Sequence, residues 1–246
     1  MSTPRVRIFA GPNGSGKSTF NSKVPAHLLV NYINPDAIES GIRETGYFDF
    51  AQFKLQAYVG QVIPFLRASS FLFKFPDSLA KIDDLFIDGH LLVFPSRQID
   101  SYIASVLSDF IRVSLIKEFA SFTFETVMSD VSKIELLRHA RLAGYRVYVY
   151  YVATADPEIN VARVAYRASI GGHDVPLDKI RSRYKRSLEN LSDAILLSNR
   201  AYIFDNSQDG DASFAQIAEI TEGEDIAIVS DTQPAWFMHY VLDKLT

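Results

Sequence analysis

The sequence predicts an α/β fold built on a parallel sheet, and three observations predict it. Arg5 to Ala10 (RVRIFA) is a short apolar run that passes straight into GPNGSGKST, and Lys17 to Lys23 can continue as a helix, giving strand, glycine-rich loop and helix in succession. SFTFE at Ser121 to Glu125 is a β-rich run, and RVYVYYVAT at Arg146 to Thr154 is a longer one with almost no polar interruption, the pattern of strands covered on both faces. Between them, Ser132 to Ala143 carries apolar residues at helical spacing and stops at Gly144, a natural helix C-cap. Strands alternating with helices over short connections point to parallel pairing.

The other elements follow in order. Leu28 to Ile33 reads as a second strand ending in Asn34-Pro35-Asp36, where Pro35 punctuates the chain and opens a helix. Phe50 to Leu66 reads as helical. Phe71 to Ala120 departs from the alternation: Asp88-Gly89 between apolar runs signals a hairpin, and Ile99, Ile103, Val106, Phe110 and Ile111 share one helical face, so a hairpin plus helix is expected as an insertion at about 71–120. Ala201 to Ser207 is the next strand. The tail, a C-terminal extension at about 211–246, reads as a helix after Asp211, a strand at Ile226 to Val229 and a last helix from Pro234 anchored by Trp236, Phe237 and Tyr240. No disordered linker interrupts the chain, so residues 1–246 are expected to form a single domain.

Composition narrows the chemistry. With 48% hydrophobic and 22% charged residues the chain can build a large core, and at this length about 70–75% of the unfolded surface can be buried. The absence of cysteine excludes disulfides, thiolate zinc sites, iron–sulfur clusters and a thiol nucleophile. A net charge of -4 argues against a nucleic-acid surface, which needs clustered basic residues over a wide area. No apolar run approaches the ~20 residues of a membrane span, and the N-terminus lacks an apolar signal segment, so the expectation is a cytoplasmic protein. Tyr145, Tyr148, Tyr150 and Tyr151 are expected to be packing residues, since a strand sends alternate side chains to opposite faces.

Gly11-Pro12-Asn13-Gly14-Ser15-Gly16-Lys17-Ser18 matches the Walker A pattern G-x-x-x-x-G-K-[ST], and Thr19 follows it. The glycines let backbone N–H groups turn inward around a phosphate. Lys17 would reach the β- and γ-phosphates, and the Ser18 hydroxyl would ligate Mg²⁺. Downstream, Arg163, Arg167, Lys179, Arg181, Arg183, Lys185 and Arg186 stand against Asp174 and Asp178, so this segment is +5 and the remainder of the chain -9. This stretch from Arg163 to Arg186, holding Gly171-Gly172 within a segment at about 156–191, has the character of a lid that closes arginines onto a transferring phosphoryl group; a solvated basic helix face is the alternative. Asp36, just past the second strand, could take a proton from an acceptor hydroxyl or cap a helix. Glu125, followed by Thr126, could hold acceptor hydroxyls or water around Mg²⁺, or cap, and Asp130 is a further capping candidate.

AGPNGSGKSTF, INPD, SFTFETVMSD, RVAYRASIGGHDVP and IRSRYKRSLENL occur in the order and character of the zeta-toxin-like family of P-loop kinases, over most of residues 5–207. The resemblance implies a parallel-sheet P-loop NTPase fold with a nucleotide-kinase-like core, ATP with Mg²⁺, and phosphorylation of a small-molecule acceptor such as a UDP-N-acetyl sugar. Many members are partnered by an antitoxin. It implies Lys17 and Ser18 at the ATP and Mg²⁺ positions, Asp36 as base, Glu125 and Thr126 on the acceptor, and Arg163 or Arg167 together with Arg183 on ATP. The 71–120 insertion and FETVMS in place of an FETT-like run both fall on the acceptor side. A diphosphate-bearing acceptor would also need positive charge, which Arg43, Arg97 and Arg112 would have to supply. A nucleoside, nucleotide or dinucleotide kinase and a nucleotide-dependent binding module are the rival readings. His173 would touch a nucleotide or order the lid turn.

Overall fold

The computed structural model describes residues 3–172, 174–210 and 213–245, so His173 and Asp211 lie outside the described residues. The chain divides into two compact units, Met1–Val30 with Thr123–Thr246, and Asn31–Phe122. The first begins with β1 (Arg5–Ala10) and α1 (Lys17–Asn21). The helix stops short of Lys23 because Pro25 disfavours helical backbone at the residue before it, Val24.

The second unit opens with β2 (Tyr32–Ile33), shorter than the expected run from Leu28; Ala26–Leu28 is a 3₁₀ turn and Asn31 takes φ +43°. Then comes α2 (Pro35–Thr45), with Pro35 in its first turn, and β3 (Tyr47–Asp49), a strand the alternation did not disclose. The helix expected over Phe50 to Leu66 is broken into 3₁₀ turns at Phe50–Phe53 and Gln56–Gln61 before α3 (Val62–Arg67). Pro64 accounts for the late start: it donates no hydrogen bond, and its ring would clash with the Gly60 carbonyl in a continuous helix. Next come α4 (Pro76–Ala80), β4 (Phe86–Asp88) and β5 (Leu91–Val93), the last two forming the expected hairpin through Gly89 at φ +58°. β5 also pairs antiparallel with β3. In α5 (Ser101–Lys117) Ile103, Val106, Phe110 and Ile111 are buried as expected, whereas Ile99 precedes the helix, whose N-cap is Asp100.

The chain re-enters the first unit through β6 (Phe122–Thr126), α6 (Ser132–Leu142), β7 (Arg146–Ala153), α7 (Pro157–Ser169), α8 (Leu177–Glu189), α9 (Leu191–Leu196) and β8 (Arg200–Asp205). β9 (Ala215–Thr221), β10 (Asp225–Ile228), α10 (Ala235–Phe237), a π-helical turn at Met238–Leu242 and α11 (Asp243–Leu245) complete it. Gly144 takes φ +84°, as its C-cap position requires. The sheet of this unit runs β10-β9-β8-β7-β1-β6. β1, β7 and β8 are parallel, but β9 and β10 add antiparallel at the edge. The segment expected as a helix after Asp211 is therefore strand β9; Glu222 and Gly223 both take positive φ and turn it into β10. On one sheet face Val6, Ile8, Val147, Val149, Ala201 and Ile203 are each at most 1% exposed, and burying a Val or Ile side chain contributes about 1.5–3 kcal/mol. Among the described residues no helix is long and apolar enough to cross a membrane.

Candidate nucleotide-binding site

The glycine-rich loop leaves the C-terminal end of β1 and feeds α1, where backbone amides collect at a helix start. Gly11 sits at φ +143°, and a Cβ there would lie 2.0 Å from the Val152 carbonyl oxygen on β7. Gly14 sits at φ +76°, with the Asn160 carbonyl oxygen 2.6 Å from its hypothetical Cβ. Both contacts are with backbone, so no side-chain motion could relieve them.

Loop carbonyls are held from outside. Asn160, on the first turns of α7 and fully buried, donates from Nδ2 to the Asn13 carbonyl at 2.6 Å and accepts at Oδ1 from the Thr154 hydroxyl. Asn206, just beyond β8, donates from Nδ2 to the Ser15 carbonyl at 2.8 Å and accepts at Oδ1 from the Phe214 N–H at 3.3 Å. Lys17 Nζ donates to the Gly11 and Pro12 carbonyls at 2.7 and 2.8 Å. Within the loop the Ser15 N–H donates to the Pro12 carbonyl at 3.3 Å; a glycine-rich turn of this kind can aim its other N–H groups at a phosphate. Asn13 Oδ1 and Ser15 Oγ are buried here without a hydrogen-bond partner. Sequence reasoning missed Asn160 and Asn206; a polar residue on an otherwise apolar helix stripe (Asn160) and an Asn closing a strand (Asn206) were the available signals.

Ser18 Oγ donates to Glu125 Oε2 at 3.1 Å, and Asn21 Nδ2 donates to Glu125 Oε1 at 3.3 Å. Glu125, 9% exposed at the end of β6, thus joins the hydroxyl of the Walker A serine. A hydroxyl beside a carboxylate is a hard-oxygen pair suited to Mg²⁺, which takes one or two carboxylates plus phosphate oxygens rather than a full protein cage. Among the described residues no group of three or more acids and histidines gathers elsewhere to hold a metal. Thr126 Oγ1 accepts from the Met128 N–H at 3.0 Å, and Asp130 Oδ1 accepts from the Ser132 N–H at 2.9 Å just before α6, whose N-cap position is Val131. Asp36 is exposed on the first turn of α2 in the second unit. It is not the cap: Asn34 Oδ1 accepts from the Asp36 and Ala37 N–H groups at 2.9 and 3.3 Å. Arg112 is 1% exposed and paired with Asp109, a packing residue of α5, which removes it from the cations expected to serve the acceptor. Arg43 is bound to Glu39 and the Ile99 carbonyl, and Arg97 to the Glu44 carbonyl.

Helices α7 and α8, in the segment expected as a lid, are joined by a small core of Val164, Val175 and Ile180. Tyr184 in α8 donates to the Thr154 carbonyl at 2.6 Å, and burial raises its phenol pKa. Arg163 is three-quarters buried and donates to the Asn206 carbonyl at 2.7 Å and to Asp209 at 2.9 Å. It forms one wall of a cleft of about 300 Å³ with Gly16, Thr19, Lys23, Asn206 and Phe214. Arg167 is half-buried one turn on, and Gly172 packs on it so closely that a Cβ would lie 2.6 Å from its Cγ. Arg183 is half-buried on α8. Arg181 lies outside this set: its hydrogen bonds to Glu158, at 2.7 and 3.0 Å, hold that carboxyl below the usual carboxylate range. The basic segment therefore divides, Arg163 turning to the cleft and Arg181, Lys185 and Arg186 to solvent.

No family model matches the chain. A stretch of 69 residues, 28% of the chain, is 33% identical to an uncharacterized protein of Haemophilus influenzae and covers 49% of it. Among solved structures, a chain of the AvrRxo1-ORF1:AvrRxo1-ORF2 complex with ATP superimposes with a TM-score of 0.53 at 14% identity, over 94% of this chain and 66% of that one. A chain of the PezAT chromosomal toxin–antitoxin system of Streptococcus pneumoniae gives 0.50 at 15% identity, over 100% of this chain and 79% of that one. This chain shares their fold. The mixed α/β architecture with a mostly parallel central sheet, expected from the resemblance to zeta-toxin-like P-loop kinases, is thus the one observed. The chain spans about half the length of the curated relative it matches and, in the native AvrRxo1-ORF1:AvrRxo1-ORF2 complex, 61% of the chain it resembles.

Proposed function

We propose that this protein is an ATP-dependent phosphotransferase that moves the γ-phosphoryl group to a hydroxyl of a small metabolite. The arrangement that carries the reading is the Walker A loop, its carbonyls bound by Asn160, Asn206 and Lys17, next to Ser18 hydrogen-bonded to Glu125 at 3.1 Å. The loop amides and Lys17 hold the phosphates; Gly11, Asn13, Gly14, Ser15, Gly16 and Thr19 shape their surroundings, and the cleft beside Arg163 and Phe214 takes the base. Ser18 and Glu125 hold Mg²⁺, which when bound neutralises phosphate charge. The resemblance assigns Asp36 as the group that receives the acceptor's proton; since Asn34 does the capping, the Asp36 carboxylate is not committed to the helix. In the reaction the bond from the γ-phosphorus to the ADP oxygen breaks, the acceptor oxygen bonds to phosphorus, and its proton passes to Asp36. Arg163, Arg167 and Arg183 stabilise charge during transfer.

For the acceptor we propose a UDP-N-acetyl sugar or a similar nucleotide-linked hydroxyl compound, with Thr126 facing it. Glu125 serves the metal side of the site, since both its oxygens face α1. We also propose a cytoplasmic location and a neutralising antitoxin, because the structures this fold matches include a toxin–antitoxin system. Labelled ATP, Mg²⁺ and a metabolite extract spiked with UDP-N-acetylglucosamine, read by mass spectrometry, test the reading. A phosphorylated sugar nucleotide supports it whole, a phosphorylated nucleoside or dinucleotide overturns the acceptor alone, and bound ATP without any phosphorylated product overturns the transfer.

A further inference from the structure

Two buried asparagines bind the carbonyls of the phosphate loop, and one of them is itself held by a residue of the C-terminal segment. Asn206 packs directly on the loop: a Cβ on Gly16 would lie 2.4 Å from its Nδ2, the atom that donates to the Ser15 carbonyl. The fit leaves little play, so the placement of the Asn206 backbone bears directly on the loop. β8 ends at Asp205, whose carboxylate takes one donor on each oxygen. Oδ1 accepts from the Ser207 N–H at 2.9 Å, a turn closed around Asn206, and Oδ2 accepts from the Trp236 indole N–H at 2.8 Å. Ser207 Oγ accepts from the Ala155 N–H at 2.7 Å, and the Asn206 N–H donates to the Ala153 carbonyl at 2.8 Å, which ties the turn to the end of β7.

Trp236 stands in α10, 5% exposed, its ring 6.1 Å from that of Phe237 and 6.3 Å from that of Tyr151. Packing holds the indole plane, and its one donor meets Asp205. Among the described residues the Ser207 and Trp236 N–H groups are the donors to this carboxylate, and each fixes one of its oxygens. A hydrogen bond to an ionised group is roughly twice as strong as a neutral one. Without the indole N–H, the half-buried carboxylate is free to turn towards water and release the Ser207 N–H, and with it the turn that carries Asn206.

We propose that Trp236 is a positioning residue for the nucleotide, acting through Asp205 and Asn206 on the Ser15 carbonyl. By this route the C-terminal segment, whose described residues line no part of the cleft, sets how well the loop is formed before ATP arrives. The inference rests on the reading that the loop holds ATP and not on transfer of the phosphoryl group.

Mg²⁺-ATP and calorimetry test it on the full chain. Trp236→Phe keeps an aromatic ring in the packing with Phe237 and Tyr151 and removes the N–H; Kd for ATP should rise about fivefold, the scale of residues that tune a site without touching its ligand. Asp205→Asn, whose amide offers one acceptor oxygen in place of two, should raise it by a similar factor. Val241→Ala, a change at a fully buried residue of the same segment that leaves the bond intact, should lower Tm and leave Kd unchanged. The deciding measurement is the double variant: because Trp236 acts through Asn206, Trp236→Phe in the Asn206→Ala background should change Kd by less than about twofold. An unchanged Kd in Trp236→Phe, an equal rise in Val241→Ala, or an undiminished rise on top of Asn206→Ala would overturn the proposal and leave the nucleotide site standing. Failure of the unaltered chain to bind ATP would overturn the nucleotide reading and this proposal together.

Discussion

Asn206→Ala offers the sharpest test of how the phosphate loop is built. The side chain is 5% exposed and serves two backbone groups, the Ser15 carbonyl at 2.8 Å and the Phe214 N–H at 3.3 Å. Truncation leaves both unpaired. An unsatisfied buried group costs about 1–3 kcal/mol, and the longer bond to the half-exposed Phe214 can be replaced by water, so we expect a loss of about 2 kcal/mol. For a chain of this length that lowers Tm by roughly 4–8 °C. The larger effect falls on binding, because a Ser15 peptide free to rotate no longer aims its neighbours inward, and misplacement by about 1 Å can cost ~10² in rate. ATP affinity measured by calorimetry should fall at least about tenfold, which is about 1.4 kcal/mol. Ile203→Val, a core change on β8 worth about 1 kcal/mol, serves as the control for stability alone. Unchanged ATP affinity in Asn206→Ala, or an equal loss in the control, would refute the clamp.

Lys17→Ala should abolish ATP turnover while the circular dichroism spectrum stays the same, since Lys17 opens α1 and its side chain fills no core volume. Asp36→Asn should lower transfer by ~10² to 10⁴, the range for a general base, with ATP affinity kept within a few-fold and Tm unchanged because Asn34 holds the cap; a fall in Tm with activity retained would contradict it. Arg183→Ala should reduce kcat more than ATP affinity, whereas Arg163→Ala should reduce both, as it also walls the cleft; silence of both in steady-state kinetics would leave the lid a solvated face. Burial pushes the Tyr145 phenol up to about 12. A pKa raised in the folded state contributes stability below about pH 10 that is lost as pH rises towards 12, so Tm should fall across that window and fall less in Tyr145→Phe.

Several elements were legible because their causes are local. The strand at Arg5 to Ala10, the loop after it, the Asn34-Pro35 helix start, the Gly89 hairpin and the Gly144 stop each depend on a few neighbouring residues, and each lies where the sequence places it. Errors arose where local signals compete. Phe50 to Leu66 is apolar enough for a helix, but Pro64 delays it, and the tail after Phe214 takes strand form because β8 offers it an antiparallel partner.

The sequence by itself determined the glycine-rich loop, the α/β class and the basic character of the segment from Arg163 to Arg186, since motif, periodicity and charge need no knowledge of what lies across space. Tertiary structure alone decided which polar residues serve that loop. Glu125 meets Ser18 across a separation of 107 residues, Asn160 meets Asn13 across 147 and Asn206 meets Ser15 across 191. It alone decided too that Tyr148, Tyr150 and Tyr202 share a face. Alternation along one strand says which residues point together, but only the register of parallel neighbours, set by packing of the buried valines and isoleucines, fixes which strands align them.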